Sequence, residues 1–119
     1  MTAPPGARLT IALTRLPTLT RGEFQAYWRD RHAPLVRSMA EVMGIVGYVQ
    51  LHVGPDDGGP GAAPFDGLAE VWFASREAHA ARMATADARA AARRLREDER
   101  RFVDIARSPR WWGQAHRVI

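Results

Sequence analysis

The sequence contains no cysteine, no lysine and no apolar run long enough to cross a bilayer. Without cysteine, disulfides, thiolate nucleophiles and thiolate-bound metals are excluded, which removes several classes of enzyme. A membrane-spanning helix needs about 20 apolar residues in succession, and the first residues lack the charged-then-apolar layout of a signal peptide. We therefore expect a cytoplasmic protein with no membrane partner.

The remaining composition is that of one globular domain. The chain has 119 residues, of which 46% are hydrophobic and 25% are charged, as is usual for compact proteins. Two cores in a chain of this length would each be too small to fold without cross-links. We expect a single domain over residues 1–119, with residues 1–7 as a flexible leader.

The net charge of +4 comes from arginine. Five arginines cluster between residues 93 and 101, but Glu97, Asp98 and Glu99 lie among them. Glu97 precedes Arg101 by four residues, a spacing that stabilises a helix. A nucleic-acid site would gather basic residues on one face with aromatic residues between them, or carry a reading motif, and neither pattern is evident. We expect a solvated, self-paired helix face and no nucleic-acid partner.

The first half of the chain predicts a strand followed by a helix. Residues 8–15 alternate apolar and polar side chains, as a strand does. Thr20 and Glu23 form a capping box, which predicts the start of a helix, and Gly44 predicts its end. Pro34 predicts a kink or a restart within it. The apolar residues that recur at helical spacing are Phe24, Trp28, Leu35, Met39 and Val42.

Residues 45–54 and 66–74 predict two further strands that form a hairpin. The connection between them is rich in glycine and proline, and we expect it to be the most mobile segment. Alternation places four residues on one face of the second strand: Val46, Tyr48, Gln50 and His52. In the third strand the residues that share a face are Leu68, Glu70 and Trp72.

The register of this hairpin stays open at the level of sequence. If Gly54 faces Asp66, Gln50 lies opposite Glu70. A shift of two residues places His52 opposite Glu70 instead. In either register we expect a carboxylate, an imidazole, an amide and two aromatic rings to share one cavity.

The last third predicts two helices and a strand. Ser75 is suited to cap a short helix, and Thr85 or Asp87 a longer one, while Pro109 opens a strand that runs to the end of the chain. The order is β-α-β-β-α-β, which predicts a ferredoxin-like α+β fold: a four-stranded antiparallel sheet with its helices on one face. The uncovered face carries apolar side chains, so we expect two copies to pack face to face as a homodimer.

Four segments carry a family resemblance by their order and spacing: RLPTLTRGEFQAYWRDRHAPLV, GYVQLHV, PFDGLAEVWF and RFVDIARS. Through them the chain resembles the EthD-like family of the dimeric α/β-barrel superfamily. The resemblance implies that fold and dimer. Relatives include cofactor-free monooxygenases, muconolactone-type isomerases and polyketide cyclases, so the resemblance transfers the fold better than the reaction.

His32 is the first candidate for chemistry. It is the histidine of the F-x-x-Y-W-x-x-x-H-A-P element of the family and stands two residues before Pro34. A histidine titrates near neutral pH and suits proton abstraction from an activated carbon or a phenol. The alternative is structural: His32 hydrogen-bonds a carbonyl that the proline frees.

His52 and Glu70 are the other catalytic candidates, expected to orient or polarise a substrate. Alternatively, Glu70 forms an ion pair with Arg8 or Arg15. His32, His52 and Glu70 also have the residue types of a 2-His-1-carboxylate metal site, but their spacing does not favour one and we assign no metal. We expect the substrate to contact Trp28, Tyr48, Gln50, Trp72 and Phe102.

The leading hypothesis is a small-molecule enzyme without a bound cofactor. It would act on an aromatic or polyketide-like substrate by acid–base chemistry, as a cyclase, isomerase or monooxygenase. The alternative is a non-catalytic ligand-binding or accessory module of a biosynthetic or catabolic pathway. The sequence gives no substrate and no choice among the three reactions.

Overall fold

The computed structural model describes residues 6–54 and 63–119, so most of the expected leader and of the expected mobile loop lie outside the described residues. The four strands are β1 (Ala7–Leu13), β2 (Ile45–His52), β3 (Gly67–Phe73) and β4 (Arg110–Gly113). They form one antiparallel sheet in the order β2-β3-β1-β4. The expected ferredoxin-like sheet is confirmed. β4 is much shorter than the strand expected to run to the end of the chain.

The helices begin and end where the capping residues indicate. They are α1 (Arg21–Tyr27), α2 (Ala33–Met43), α3 (Arg76–Met83) and α4 (Ala86–Glu99). The capping box of Thr20 and Glu23 is formed, and Ser75 and Thr85 cap α3 and α4 through their hydroxyl groups. Gly44 ends α2 with a φ of 73°, a left-handed conformation that favours glycine. Among the described residues, no helix is both long and apolar enough to span a membrane.

A π-helical turn, Trp28–His32, separates α1 from α2. The N–H of Ala33 donates to the carbonyl of Trp28, five residues earlier, so the turn holds one residue more than an α-helical turn. The extra residue shifts the buried stripe of α2 by one position. Val36 and Met43 are buried, whereas the expected Leu35, Met39 and Val42 are only half-buried.

The helices pack on one face of the sheet, which we call the covered face. Two buried apolar clusters lie there, one around Phe24, Trp28 and Phe102 and the other formed by α2 and α4. Trp28 lies directly on β3, where a Cβ on Gly67 would come 2.5 Å from the indole. Glycine at this position lets the first cluster close against the strand.

Register decides which side chains share the covered face. Val49 lies opposite Glu70, Gln50 opposite Ala69 and Tyr48 opposite Val71. The two expected registers are therefore wrong by one and by three residues, and a shift by an odd number moves every side chain of a strand to the other face. Tyr48, Gln50 and His52 lie on the covered face, while Glu70 and Trp72 lie on the face without helices, the open face.

An irregularity in β2 between Ile45 and Gly47 explains why simple alternation fails there. Ile45 packs against the α2 and α4 cluster, and the neighbouring Val46 is 53% exposed. A bulge inserts one unpaired residue and so resets the alternation of faces. Val46 and Tyr48 nevertheless line the same hollow beside α2.

Candidate active site

A cavity of about 400 Å³ lies between the covered face and the helices. Its volume falls within the range of roughly 300–1,000 Å³ typical of small-molecule sites. Apolar side chains from the sheet and from α2 and α4 form much of its wall: Leu9, Ile11, Val36, Met43, Ile45, Val71, Phe73 and Leu95. The polar side chains that line it are His32, His79, Arg96, Glu99 and Arg110.

His32 is held at the cavity wall by a buried carboxylate. Its Nδ1 lies 2.8 Å from Oδ2 of Asp98, and the two side chains are 7% and 10% exposed. The ring also packs against Phe102, with 5.0 Å between ring centroids. These two contacts fix the orientation of the imidazole and leave Nε2 as the ring nitrogen available to a ligand.

Asp98 remains ionised although it is buried. Burial alone raises the pKa of a carboxyl group, but hydrogen bonds from Tyr27 and His32, together with the charge of Arg101, outweigh it and hold the pKa of Asp98 below its ordinary value. Tyr27 donates its hydroxyl proton to Oδ1 at 2.7 Å. Burial, then the hydrogen bond and charge of Asp98, raise the pKa of Tyr27, so the phenol remains a donor.

An ionised carboxylate only accepts hydrogen bonds, so Nδ1 of His32 must carry the proton. In the neutral imidazole Nε2 then holds a free lone pair. A carboxylate that fixes the tautomer of a histidine in this way also stabilises the imidazolium that forms when the histidine takes a proton. The pair therefore has the arrangement of a general base.

The π-helical turn that carries His32 is tied to the sheet. Nε2 of Gln50 donates to the carbonyl of Trp28 at 3.0 Å and to the hydroxyl of Tyr48 at 3.0 Å. The same carbonyl accepts the π-helical bond from Ala33. Gln50 and Tyr48 thus fix the turn from the covered face, and π turns of this kind are frequent at functional sites.

His52 extends this series of hydrogen bonds, since it also bonds to Gln50. Its Nε2 lies 2.8 Å from Oε1 of Gln50, and its ring packs on Trp28 with 4.5 Å between centroids. Because Oε1 is an acceptor, Nε2 of His52 must be protonated. Burial, with a smaller contribution from Arg29, lowers the pKa of His52. His52 supports the turn and is not among the side chains that line the cavity.

The other expected site residues fall into two groups. Trp28 and Phe102 are each 1% exposed and fill the first apolar cluster. Glu70 and Trp72 lie on the open face, where Nη1 of Arg8 lies 2.5 Å from the carboxylate and its guanidinium packs 4.8 Å from the Trp72 ring centroid. The ion pair between Glu70 and Arg8 was the structural alternative for this residue. The sheet separates Glu70 from His32 and His52.

Several residues of the site, Asp98 and His79 among them, were not expected there from the sequence. Asp98 was assigned to a solvated face, yet it is buried. Its spacing in the sequence could have indicated burial. Asp98 stands three residues after Leu95 and four before Phe102, on the same side of the helix as these apolar residues. His79 is not among the residues expected at the site, but it lines the cavity and packs against Phe73 and Trp112. Burial and then Arg76 lower the pKa of His79.

No group of three histidine, aspartate or glutamate side chains is close enough to hold a metal ion within residues 6–54 and 63–119. A second, more open hollow of about 340 Å³ lies beyond Trp112 and borders α3. Of the described residues that line it, only Arg76 is charged. We therefore take the cavity at His32 as the candidate site.

Solved structures with the same fold cover nearly the whole chain. An ethyl tert-butyl ether D (EthD) family protein from Bacillus halodurans C-125 is 21% identical, with 92% of this chain and 99% of that chain covered and a TM-score of 0.63. SnoaB, a cofactor-independent oxygenase from Streptomyces nogalater, is 15% identical, with 95% of each chain covered and a TM-score of 0.57.

A dimeric protein of ferredoxin-like fold from Bacteroides fragilis NCTC 9343 is 6% identical, with 92% of this chain and 95% of that chain covered and a TM-score of 0.58. At these identities the likeness shows the fold. No functionally curated protein matches the sequence significantly. The sequence profile of the EthD domain matches residues 16–106, a span that holds the π-helical turn, His32 and Asp98. The chain belongs to the EthD family.

Proposed function

We propose that the chain is an enzyme that acts on an aromatic or polyketide-like small molecule by acid–base chemistry, without a bound cofactor. His32 is its general base. The observation that carries the proposal is the hydrogen bond between Nδ1 of His32 and the buried carboxylate of Asp98. This bond leaves the lone pair of Nε2 directed away from Asp98 at the wall of a cavity of suitable size.

The proposed first step is a single proton transfer. Nε2 of His32 takes a proton from an activated carbon or a phenol, the bonding electrons stay on the substrate as an enolate or phenolate, and the imidazole becomes an imidazolium. Asp98 stays ionised and stabilises that cation. In a cyclase or isomerase the proton returns to the substrate at another position. In an oxygenase the carbanion forms a C–O bond with dioxygen as co-reactant, the resulting peroxide takes the proton back from His32, and cleavage of the O–O bond with loss of water leaves a carbonyl group.

The apolar wall supports this chemistry in two ways. It accepts a planar hydrophobic ring system, and it excludes water, which strengthens the electrostatic interactions of the proton transfer. SnoaB has the same fold and is described as a cofactor-independent oxygenase, which supports oxygenation as one outcome. Measurement of dioxygen consumption during turnover distinguishes that outcome from cyclisation and isomerisation.

The test measures proton abstraction directly. 2-Tetralone, a bicyclic ketone with acidic C–H bonds, is incubated with the protein in deuterium oxide, and incorporation of deuterium is followed by NMR. The wild-type protein is expected to accelerate exchange above the buffer rate, and His32→Asn to abolish the acceleration while remaining folded. Undiminished exchange in a folded His32→Asn protein would remove His32 from the proposal.

The second candidate is a non-catalytic module that holds an apolar ligand. The predominance of aliphatic and aromatic side chains in the cavity wall favours it. It predicts saturable binding of 2-tetralone with exchange no faster than in buffer. Acceleration that depends on His32 would eliminate this candidate.

The functional unit that we propose is a homodimer formed through the open faces. Several large apolar side chains are about half exposed there: Val49 at 48%, Leu51 at 60% and Trp111 at 49%. An apolar sheet face of this kind is buried when two sheets pack together. Light scattering after size-exclusion chromatography is expected to give twice the chain mass, and Leu51→Glu is expected to give the chain mass.

A further inference from the structure

Two arginines reach the cavity beside the proposed base. Arg96 projects from α4 and Arg110 from β4, where it lies opposite Ile11 on the covered face. Both approach Glu99: Nη2 of Arg110 lies 3.4 Å and Nε of Arg96 lies 3.9 Å from Oε2. Charge-assisted hydrogen bonds of this type are normally about 2.7–2.9 Å long. Glu99 therefore holds the two guanidinium groups loosely.

The charges of Arg96, Glu99 and Arg110 do not balance. Two guanidinium groups face a single carboxylate, because the neighbouring Asp98 is already engaged by His32 and Tyr27. Each guanidinium has five N–H donors, and one carboxylate cannot use them all. The side chains of Arg96 and Arg110 are 43% and 33% exposed, whereas that of Glu99 is 16% exposed. The two arginines thus have N–H groups that Glu99 does not use, and together with Glu99 they carry one net positive charge that a ligand can neutralise.

Arg96, Glu99 and Arg110 lie close to the proposed base, His32. Glu99 follows Asp98 directly in α4, and Arg96 lies one helical turn before Glu99. His32 and the arginines line one cavity, whose other walls are mostly apolar. A ligand that fills this space has a hydrophobic body and an anionic group at one end, and it places a carbon or hydroxyl group near His32.

We propose that the ligand of this site is an aromatic carboxylate, with its carboxylate bound by Arg96 and Arg110. The inference rests on the proposed function, since it names the substrate class of the same cavity. A guanidinium group matches the planar carboxylate with two parallel N–H bonds, which makes arginine selective for this group. The bound carboxylate also neutralises the charge that Glu99 leaves unpaired, which a neutral ring system does not.

The test compares two probes of nearly the same shape, 2-naphthoate and 2-naphthamide, by isothermal titration calorimetry. The wild-type protein is expected to bind the naphthoate at least about tenfold more tightly, a difference of about 1.4 kcal/mol. Arg110→Gln and Arg96→Gln are each expected to reduce that preference to about threefold or less while leaving naphthamide binding unchanged. Arg94→Gln removes an exposed arginine of the same helix and is expected to keep the full preference.

Equal affinity of the wild-type protein for the two probes overturns the inference, as does failure of both probes to bind. An equal loss of preference in Arg94→Gln also overturns it, because the effect would then come from net charge alone. Binding is measured without turnover, so His32→Asn separates the two proposals. Loss of deuterium exchange with an intact naphthoate preference supports both, and intact exchange with an intact preference contradicts only the role of His32.

Discussion

On each face of the sheet a tryptophan packs on a glycine, but the surroundings of the two tryptophans differ. On the covered face Trp28 lies over Gly67, and on the open face Trp72 lies over Gly47, where a Cβ would come 2.0 Å from the indole. Helices seal Trp28 to 1% exposure. The open face has no helix above Trp72, and Leu51 and Val49 remain exposed around it. A tryptophan on a glycine becomes part of a core only where another layer covers it.

The carboxylates on the two sides of the sheet, Asp98 and Glu70, also differ in burial and in their partners. Asp98 accepts from His32 in a buried setting, and Glu70 pairs with Arg8 in a more exposed one. Arginine stays protonated at every ordinary pH, so the guanidinium of Arg8 cannot accept a proton from a substrate. Histidine changes its charge near neutral pH. The partner of the carboxylate, more than the carboxylate itself, therefore favours the covered face for the proposed chemistry.

The largest effect is expected from His32→Asn. Loss of the general base should lower deuterium exchange into 2-tetralone by about 100-fold or more, the usual contribution of such a group. His116→Asn removes an exposed histidine of the C-terminal segment and is the matched control, with exchange expected at the wild-type rate. Circular dichroism and thermal unfolding verify that both variants are folded. Equal rates in the two variants would place the chemistry elsewhere.

A pair of glycine variants compares the two tryptophans directly. Gly67→Ala places a methyl group 2.5 Å from the sealed indole of Trp28, so we expect the free energy of unfolding to fall by about 1–3 kcal/mol. In Gly47→Ala the displaced ring of Trp72 has no helix above it, and a smaller loss is expected for the isolated chain. Urea denaturation measures both. A larger loss in Gly47→Ala would show that the open face is the more tightly packed one.

A pH series tests the ionisation of Asp98. The pKa of Asp98 lies below its ordinary value of 3.8 in the folded chain, so its stabilisation is fully present above that value and is lost as the pH falls through the folded pKa. Asp98→Asn should therefore flatten the decline of the unfolding free energy below about pH 4. Urea denaturation at several pH values gives this slope for each protein. Parallel slopes for the two proteins would contradict the assigned charge state.

The smallest effect is expected from Glu70→Gln. The ion pair with Arg8 is partly exposed, with side-chain exposures of 28% and 23%, and such pairs contribute about 0–1 kcal/mol. Since the sheet separates Glu70 from the cavity, exchange into 2-tetralone should remain within about twofold of the wild-type rate. A large loss of exchange with the dimer intact would instead restore Glu70 to the catalytic set.

The interpretation of the sequence succeeded wherever the determining contacts are short-range. The residues that cap the helices act on backbone groups within about four residues, so their positions alone predict where helices begin or end. They are Thr20 with Glu23, Gly44, Ser75 and Thr85. Trp111 and Trp112 are neighbours in β4 and lie on opposite faces, across from Thr10 and Leu9. Alternation within a strand is equally local.

The failures involve contacts distant in sequence. The bulge in β2 and the pairing of Val49 with Glu70 depend on two strands that meet across a long connection. The π-helical turn moved the buried stripe of α2 by one residue, and the partnership of His32 with Asp98 joins residues 66 apart in sequence. The π-helical turn itself is local, but the hydrogen bond from Gln50 that ties it to the sheet spans 22 residues.

The sequence by itself determined the order of the elements, their caps, the family segments and His32 as a residue of interest. Only the tertiary structure decided which carboxylate His32 meets and which side chains share a face of the sheet. The physical reason is that caps and alternation depend on contacts within a few residues. Register and burial depend instead on how all layers pack at once, and a shift of one residue exchanges the two faces of a strand.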